Sequence, residues 1–416
     1  MSPILCLIAT CLLGGIAAQS ETGAEPVPAA DPVIGWARVE FDANGIVESA
    51  AGGLADLDTE RELTVDDPVR IASISKLVVA LAAARLVEEG AIDLRDDVSI
   101  HLGWRLRNPH FPDEVITLRA LLDHRAGVRD TAGYALPLDA DLEAWTGQPE
   151  AWDAEHPPGW FAYANLNFPI IAAVLEGATG ERFDRLMART VFEPLGLDAC
   201  FNWTTCSDEA RSRAVALYRP DGEVARDSQR AIAEDCPATP ARDGSCDLDT
   251  YRLARNGAAF SPQGGLRISA SDLARIGMLF LSRGEGTEFA FVGRHYRRLP
   301  LIPMLYSGGR APITANGESA GGFFCRYNHG VHTLNGDGGE CDDDLFATGA
   351  VYSGHSGEAY GLRSGLWISH EERRGVAYFA TGLPETPRPG RSAFSAVEER
   401  LAQDLPLETY RPPADD

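Results

Sequence analysis

Ile71-Ala-Ser-Ile-Ser-Lys-Leu-Val-Val-Ala-Leu-Ala-Ala-Ala-Arg-Leu-Val-Glu-Glu-Gly90 is the stretch on which the reading of this chain turns. From Ser73 to Glu89 it is apolar nearly all round, carrying Leu77, Val78, Val79, Leu81, Leu86 and Val87. Gly90 follows as a natural C′ residue. The pattern predicts a helix, and a helix with no polar face is normally buried at the centre of a protein. Its first turn nevertheless carries Ser73 and Lys76. Of the 37 Lys and Arg residues in the chain, 36 are Arg, and Lys76 is the single Lys.

Arg replaces Lys freely over most of a surface, but not where a nitrogen must lose its proton. Arg stays charged above about pH 12, whereas a desolvated Lys drops towards neutrality and acts as a base. S-x-x-K alone is a weak signal; here the chain spends its only Lys in it. Residues three apart share a helix face, so the Lys76 amine reaches the Ser73 hydroxyl. At the helix N-terminus, Ser73 also gains from the dipole as it becomes alkoxide-like. The alternative, a Ser cap with an incidental Lys, buries or misplaces a charge without purpose.

Outward from this helix, the chain has 416 residues, 44% of them hydrophobic and 24% charged, an ordinary globular composition that argues against wholesale disorder. A formal net charge of −24 and no basic stripe exclude nucleic acid as a partner. Met1 to Ala18 carry no charge, and the apolar run Ile4 to Ile16 is short for a membrane span. We read residues 1–18 as a signal peptide, although its n-region lacks Lys and Arg, and 19–31 as a disordered leader. A periplasmic or secreted location follows, with no stable membrane span once the signal is cut. Six cysteines remain in the mature chain: Cys200 and Cys206, Cys236 and Cys246, Cys325 and Cys341. Fifteen connectivities are open, but short polar loops favour three neighbour disulfides in an oxidising compartment.

Near the N-terminus, Ile34 to Phe41 and Ile46 to Ser49 read as strands around Asp42-Ala-Asn-Gly45. Near the C-terminus, Ser364 to Ser369 and Gly375 to Thr381 form a second hairpin pattern, followed by a helix over about 393–404. Further helices are expected at about 118–125, 167–179, 182–192 and 271–282. Strands at both ends with helices between predict an α/β (α+β) fold. Both termini build one antiparallel sheet flanked by helices, with a mainly helical lobe inserted. One domain is expected over 32–405, with a tail over 406–416 and a disulfide-pinned elaboration between Cys200 and Ser261.

Ile71-Ala-Ser-Ile-Ser-Lys76 resembles the first motif of class C β-lactamases, DD-peptidases and their esterase and D-aminopeptidase relatives. Four further stretches keep that family's order: Thr117 to Gly127, with its His124 turn; Pro158 to Asn165, with the Y-x-N of Tyr163 and Asn165; Ser261 to Leu266; and Gly354-His-Ser-Gly357. The resemblance runs from about residue 32 to 405, and five motifs in order are specific. It implies the β-lactamase/transpeptidase-like fold and an acyl-enzyme on Ser73 with Lys76 as base. Tyr163 would share a proton with Lys76 and pass it to the leaving group, its phenol lowered by the nearby cation. Asn165 would bind the substrate carbonyl and Lys76. His355 would donate to Tyr163 or to a substrate oxygen. Gly357 would let the substrate lie along the strand, and the Ser73 and Glu358 N–H groups would form the oxyanion hole.

His355 stands where the lactamases carry a Lys, which favours DD-peptidase, D-aminopeptidase or esterase activity on an ester or amide over efficient β-lactam turnover. A β-lactamase and a non-catalytic penicillin-binding-like scaffold are the alternatives. The natural substrate, small molecule or peptide, is left open. A monomer without cofactor is expected. G-x-S-x-G and H-E-x-x-H are missing. His329, His332 and Asp342 to Asp344 read as a solvated loop pinned by Cys325 and Cys341, not as a metal site.

Overall fold

In Arg374–Thr381 the side chains alternate: Val376, Tyr378 and Ala380 enter one hydrophobic cluster, Ala377 and Phe379 another. A strand buried on both faces must sit inside a sheet with layers on either side. The computed structural model, which describes residues 26–234, 236–281, 316–334 and 341–410, places it there. Thirteen strands follow in chain order: β1 (Gly35–Asp42), β2 (Ile46–Asp56), β3 (Arg61–Glu62), β4 (Val69–Arg70), β5 (Cys200–Phe201), β6 (Leu217–Tyr218), β7 (Val224–Arg226), β8 (Leu266–Ile268), β9 (Tyr327–Asn328), β10 (Val331–Leu334), β11 (Tyr352–Ala359), β12 (Leu362–Ser369) and β13 (Arg374–Thr381). Eight of them form one sheet of order β3-β2-β1-β13-β12-β11-β10-β9 with antiparallel neighbours.

The two termini meet at its centre, as the hairpin patterns predict: β1 pairs with β13 from Gly35↔Thr381 to Asp42↔Arg374. β4, β8 and β5 make a small second sheet, and β6 pairs with β7. Five helices matter here: α1 (Ile74–Glu88), α2 (Leu118–Leu122), α3 (Asn167–Thr179), α4 (Ala270–Leu281) and α5 (Ala396–Ala402). The helix expected over 182–192 is α-helical over Phe183–Met187 and continues as a wider π turn over Ala188–Phe192.

α4 lies across β1, β12 and β13, and Gly277 lets it sit tightly; a Cβ there would fall 2.2 Å from the Phe41 ring. On the opposite face α5 covers Trp367, Val376 and Tyr378, and Arg38 of β1 donates to the Leu401 carbonyl. α1 packs against β11 and β12 with twelve of its residues buried, the core position its apolar pattern predicts. The chain between β4 and β8 holds α2, α3 and most of the remaining helical turns, the inserted lobe of the expected fold class.

Cysteines join as three local pairs, Cys200–Cys206, Cys236–Cys246 and Cys325–Cys341. Residues 1–18, read as a signal peptide, lie outside the described residues, as does the leader up to residue 25. Among the described residues no helix is long and apolar enough to cross a membrane. Asp31 pairs with Arg388, and Thr409 bridges to Val33, so residues 26–31 and 406–410 run along the sheet domain.

Candidate active site

β4 ends at Arg70, and the chain turns sharply into α1 through Ala72, held at φ 54°. A left-handed, non-glycine residue there is strained, and such strain gathers at functional turns. It sets Ser73, half-buried at the N-cap of α1, beside Lys76 and next to the turn that Gly357 of β11 approaches. The Ser73 side chain makes no capping hydrogen bond, which leaves its hydroxyl to chemistry.

Lys76 is wholly buried, and its Nζ has three polar neighbours: Ser73 Oγ at 2.9 Å, Asn165 Oδ1 at 2.9 Å and the Gln263 carbonyl at 2.8 Å. Burial drives its pKa down to about 7, against a smaller upward pull from Asp130. A neutral amine has two N–H donors and one lone pair. The Asn165 and Gln263 oxygens accept both donors, and the lone pair faces the Ser73 hydroxyl. Ser73 lies near enough to Tyr163 to pull its phenol downward against burial, and the Lys76 nitrogen sits 5.0 Å from the centre of its ring. Ser73 thus stands between a proton acceptor and a proton donor.

β11 closes the other wall. A Cβ on Gly357 would lie 2.4 Å from the Ile71 carbonyl oxygen and 2.3 Å from Ser364 Oγ, so only glycine lets the strand approach the nucleophile turn this closely. That approach brings Gly357 of β11 against Ile71 and Ala72, the turn that leads into Ser73. Glu358, the next residue of β11, points its carboxylate to solvent and pairs with Arg363 at 2.9 Å. Gly357→Ala is expected to lower kcat/KM by about tenfold or more while the chain still folds, because it displaces β11 by a fraction of an ångström. Wild-type kinetics in that variant would show that the strand's approach does not matter.

The Beta-lactamase family model matches residues 29–398. The chain belongs to the β-lactamase family. It is 27% identical over 190 residues to the D-alanyl-D-alanine-carboxypeptidase/endopeptidase AmpH of Escherichia coli (K12), covering 44% of this chain and 48% of that one. It is 29% identical over 170 residues to the esterase EstB of Burkholderia gladioli, covering 37% and 43%. These matches span less than half the length of either relative. Among solved structures, a class C β-lactamase from Rhodobacter sphaeroides superposes with a TM-score of 0.60 at 17% identity, over 89% of this chain and 92% of that one. A D-amino acid amidase from Ochrobactrum anthropi superposes with 0.56 at 17% identity, over 85% and 89%. At such identities these two likenesses concern the fold.

Within this β-lactamase-family site, two expectations need correcting. Tyr163 was expected to have its phenol lowered by a neighbouring cation. Burial instead pushes it well above the ordinary value, and Lys76 is itself close to neutral, so Tyr163 stays a protonated donor. His355 was expected to donate to Tyr163 or substrate. Its Nδ1 instead faces the Ser356 carbonyl at 2.6 Å and its Nε2 the Tyr327 hydroxyl at 3.2 Å. Burial, with Lys76 adding to it, lowers its pKa to about 3, so it is a neutral ring that donates from Nδ1 and accepts at Nε2. Tyr327 stands edge-on to Tyr163 at 6.0 Å, which makes His355 and Tyr327 the back wall of the tyrosine.

Sequence reasoning missed Asp130, Gln263 and Tyr327, and used His124 only as a turn marker. Asp130 accepts from the Asn165 N–H and Nδ2 and from the Leu166 N–H, which fixes the Asn165 amide with its oxygen towards Lys76. The His124 ring stacks on Tyr163 at 4.3 Å, and its Nδ1 accepts from the Ala164 N–H. No spacing rule marks Asp130, and the Gln263 group is a backbone carbonyl. Asp130→Asn removes the charge that holds the Lys76 pKa up. The acidic limb of kcat/KM, near pH 7 in the wild type, is expected to move to lower pH in that variant, with a lower plateau. An unmoved limb would detach Asp130 from the titrating group.

Proposed function

We propose that this chain is an exported serine hydrolase that forms an acyl-enzyme on Ser73 and cleaves an ester or amide. The carrying observation is Lys76: buried, near neutral at physiological pH, and within hydrogen-bond reach of Ser73. Lys76 takes the hydroxyl proton as Ser73 Oγ attacks the carbonyl carbon. Negative charge develops on the carbonyl oxygen between the Ser73 and Glu358 N–H groups. As the tetrahedral intermediate collapses, Tyr163 gives its proton to the leaving oxygen or nitrogen and takes one from Lys76. Water attacks the ester so formed along the reverse path and frees Ser73.

Three considerations support substrates of the DD-peptidase, D-aminopeptidase or esterase kind. The relatives include proteins described as a carboxypeptidase/endopeptidase and an esterase. The third-motif position holds the neutral His355 and no cation. Asn165 presents an amide group fixed at both ends to the cleft. Three disulfides fit an oxidising location, periplasmic or secreted.

The test is the intact mass of the protein after mixing with benzylpenicillin, beside turnover of p-nitrophenyl esters and D-amino-acid amides. A long-lived adduct, or hydrolysis of either substrate class, supports the proposal. If neither adduct nor hydrolysis occurs, the family fold serves here as a scaffold.

A further inference from the structure

Arg70, the last residue of β4, lies directly opposite Arg267 of β8. Both are deeply buried, at 8% and 3% exposure. Like charges facing one another across a strand pair repel, and burial removes the water that would screen them. Arg267 has its own compensation: Asp227 accepts from it at 2.7 Å, and Asn202 and the Gly265 carbonyl take its other donors. Arg70 makes no such side-chain hydrogen bonds, and Asp227 acts on it only at longer range. Its Nε is buried without a hydrogen-bond partner, and no described carboxylate forms an ion pair with it. It lies over the ring of Tyr360 at 5.3 Å, and Arg226 lies over the same ring at 5.6 Å.

Arg70, Arg226, Arg267 and Asp227 line a cavity of about 280 Å³, to which Arg211 adds a fourth guanidinium. A water occupies about 30 Å³ in the liquid, so the space takes a ligand fragment. Four guanidinium groups face one carboxylate, Asp227, in a chain whose net charge is −24. Such a cationic cluster in so acidic a protein has to be maintained against its surroundings. Burial and Arg267 together lower the Arg70 pKa to about 10, and the pull of Tyr360 and Asp227 offsets them only in part. Tyr360 responds in the opposite sense; Arg70 and Arg226 outweigh its burial and hold the phenol below its ordinary value.

Two chain segments connect the cavity wall to the reaction centre. Arg70 stands three residues before Ser73, and Ser261, on the cavity wall, stands two before Gln263, whose carbonyl holds Lys76. Tyr360 is the tip of the hairpin that joins β11 to β12. Tyr360 and Gly361 form its two-residue turn with φ of 53° and 75°, the left-handed pair such a turn demands. The strand that supplies Gly357 and Glu358 therefore delivers Tyr360 to the arginines.

We propose that this arginine pocket binds a carboxylate carried by the substrate of the Ser73 site, so that the enzyme prefers acyl compounds bearing a free anionic group. The inference rests on the acyl-enzyme function proposed above. The segment between Cys200 and Cys246, which contributes Asn202, Arg211, Arg226 and Asp227, is then a specificity wall. Two disulfides pin it, Cys200–Cys206 beside Arg267 and Cys236–Cys246 at the cavity rim.

The test uses Arg226→Gln, because Arg226 is exposed on β7 and its loss spares the buried strand pair. The first readout is calorimetric titration of glutarate into Ser73→Ala protein, with and without Arg226→Gln. The second is the ratio of kcat/KM for mono-p-nitrophenyl glutarate over p-nitrophenyl acetate. Saturable binding of glutarate that weakens at least about tenfold in the Arg226 variant is expected, and the ratio is expected to fall by a similar factor. Arg219→Gln, an exposed arginine outside the cavity, is expected to leave the ratio unchanged. No binding, or binding indifferent to Arg226, overturns the pocket. Binding that weakens while the ratio holds overturns the link to substrate and leaves a separate anion site. If the wild type hydrolyses neither ester, the acyl-enzyme reading has failed on these substrates, and the titration alone decides the pocket.

Discussion

Lys76→Arg is expected to lower kcat at pH 8 by about 10²–10⁴-fold, the usual worth of a positioned acid or base. The substitution keeps a cation beside Ser73 and removes the one property the site uses, a nitrogen that is neutral near pH 7. Arg cannot lose its proton in this range, so it has no lone pair for the Ser73 hydroxyl. The pH profile separates this cause from simple misplacement. Wild-type kcat/KM is expected to rise as pH climbs through about 7, because the deprotonated amine is the active form. The Arg variant is expected to show residual activity without that limb. Lys76→Met, without charge or base, is the companion: equal loss in both variants assigns the effect to the missing base. Lys76→Arg within about threefold of wild type would end the assignment of Lys76 as base.

Ser73→Ala is expected to cost about 10⁶-fold in kcat, as removal of an activated nucleophile does, and to abolish any penicillin adduct. The melting temperature is expected to stay nearly constant. An N-cap serine normally contributes about 1 kcal/mol through its side-chain hydrogen bond, but the Ser73 hydroxyl makes no such bond to the helix. What it loses is its contact with Lys76 and Tyr163, and the buried Lys76 amine keeps the Asn165 and Gln263 oxygens. A fall of many degrees with activity retained would make Ser73 a structural cap. Scanning calorimetry and ester hydrolysis on the same samples decide it.

Much of this is legible in the sequence alone. The helix after Ser73 declared itself because an apolar segment of such length has only the core to occupy. The hairpin pattern of Ser364 to Ser369 and Gly375 to Thr381 announced two strands, and the hairpin pattern near the N-terminus announced their partners in one sheet. The Ser73–Lys76–Asn165 cluster was legible because one lysine in an arginine-rich chain is conspicuous. The same composition hid the arginine pocket: Arg70 is one of 36, and nothing local distinguishes a buried, unpaired arginine from a solvated one. Asp130 was silent for a different reason. Its role is made by three donors 35 and 36 residues away, and no local pattern records a contact of that span. His355 was placed on the correct strand and given the wrong partner, because Tyr327 comes from a segment with no regular pattern of its own.

The solitary lysine has a practical consequence unconnected with catalysis. A lysine-specific endoprotease has one bond to cut in the whole chain, after residue 76, and in the native protein that bond lies in the buried first half of α1. Digestion therefore counts only molecules that have opened at their centre. While reclosure outpaces cutting, the rate at which the two fragments appear reports the free energy of that opening. An occupant that grips the cleft is expected to slow it, so a single-cut assay ranks candidate substrates and inhibitors by binding alone, before any reaction has been found.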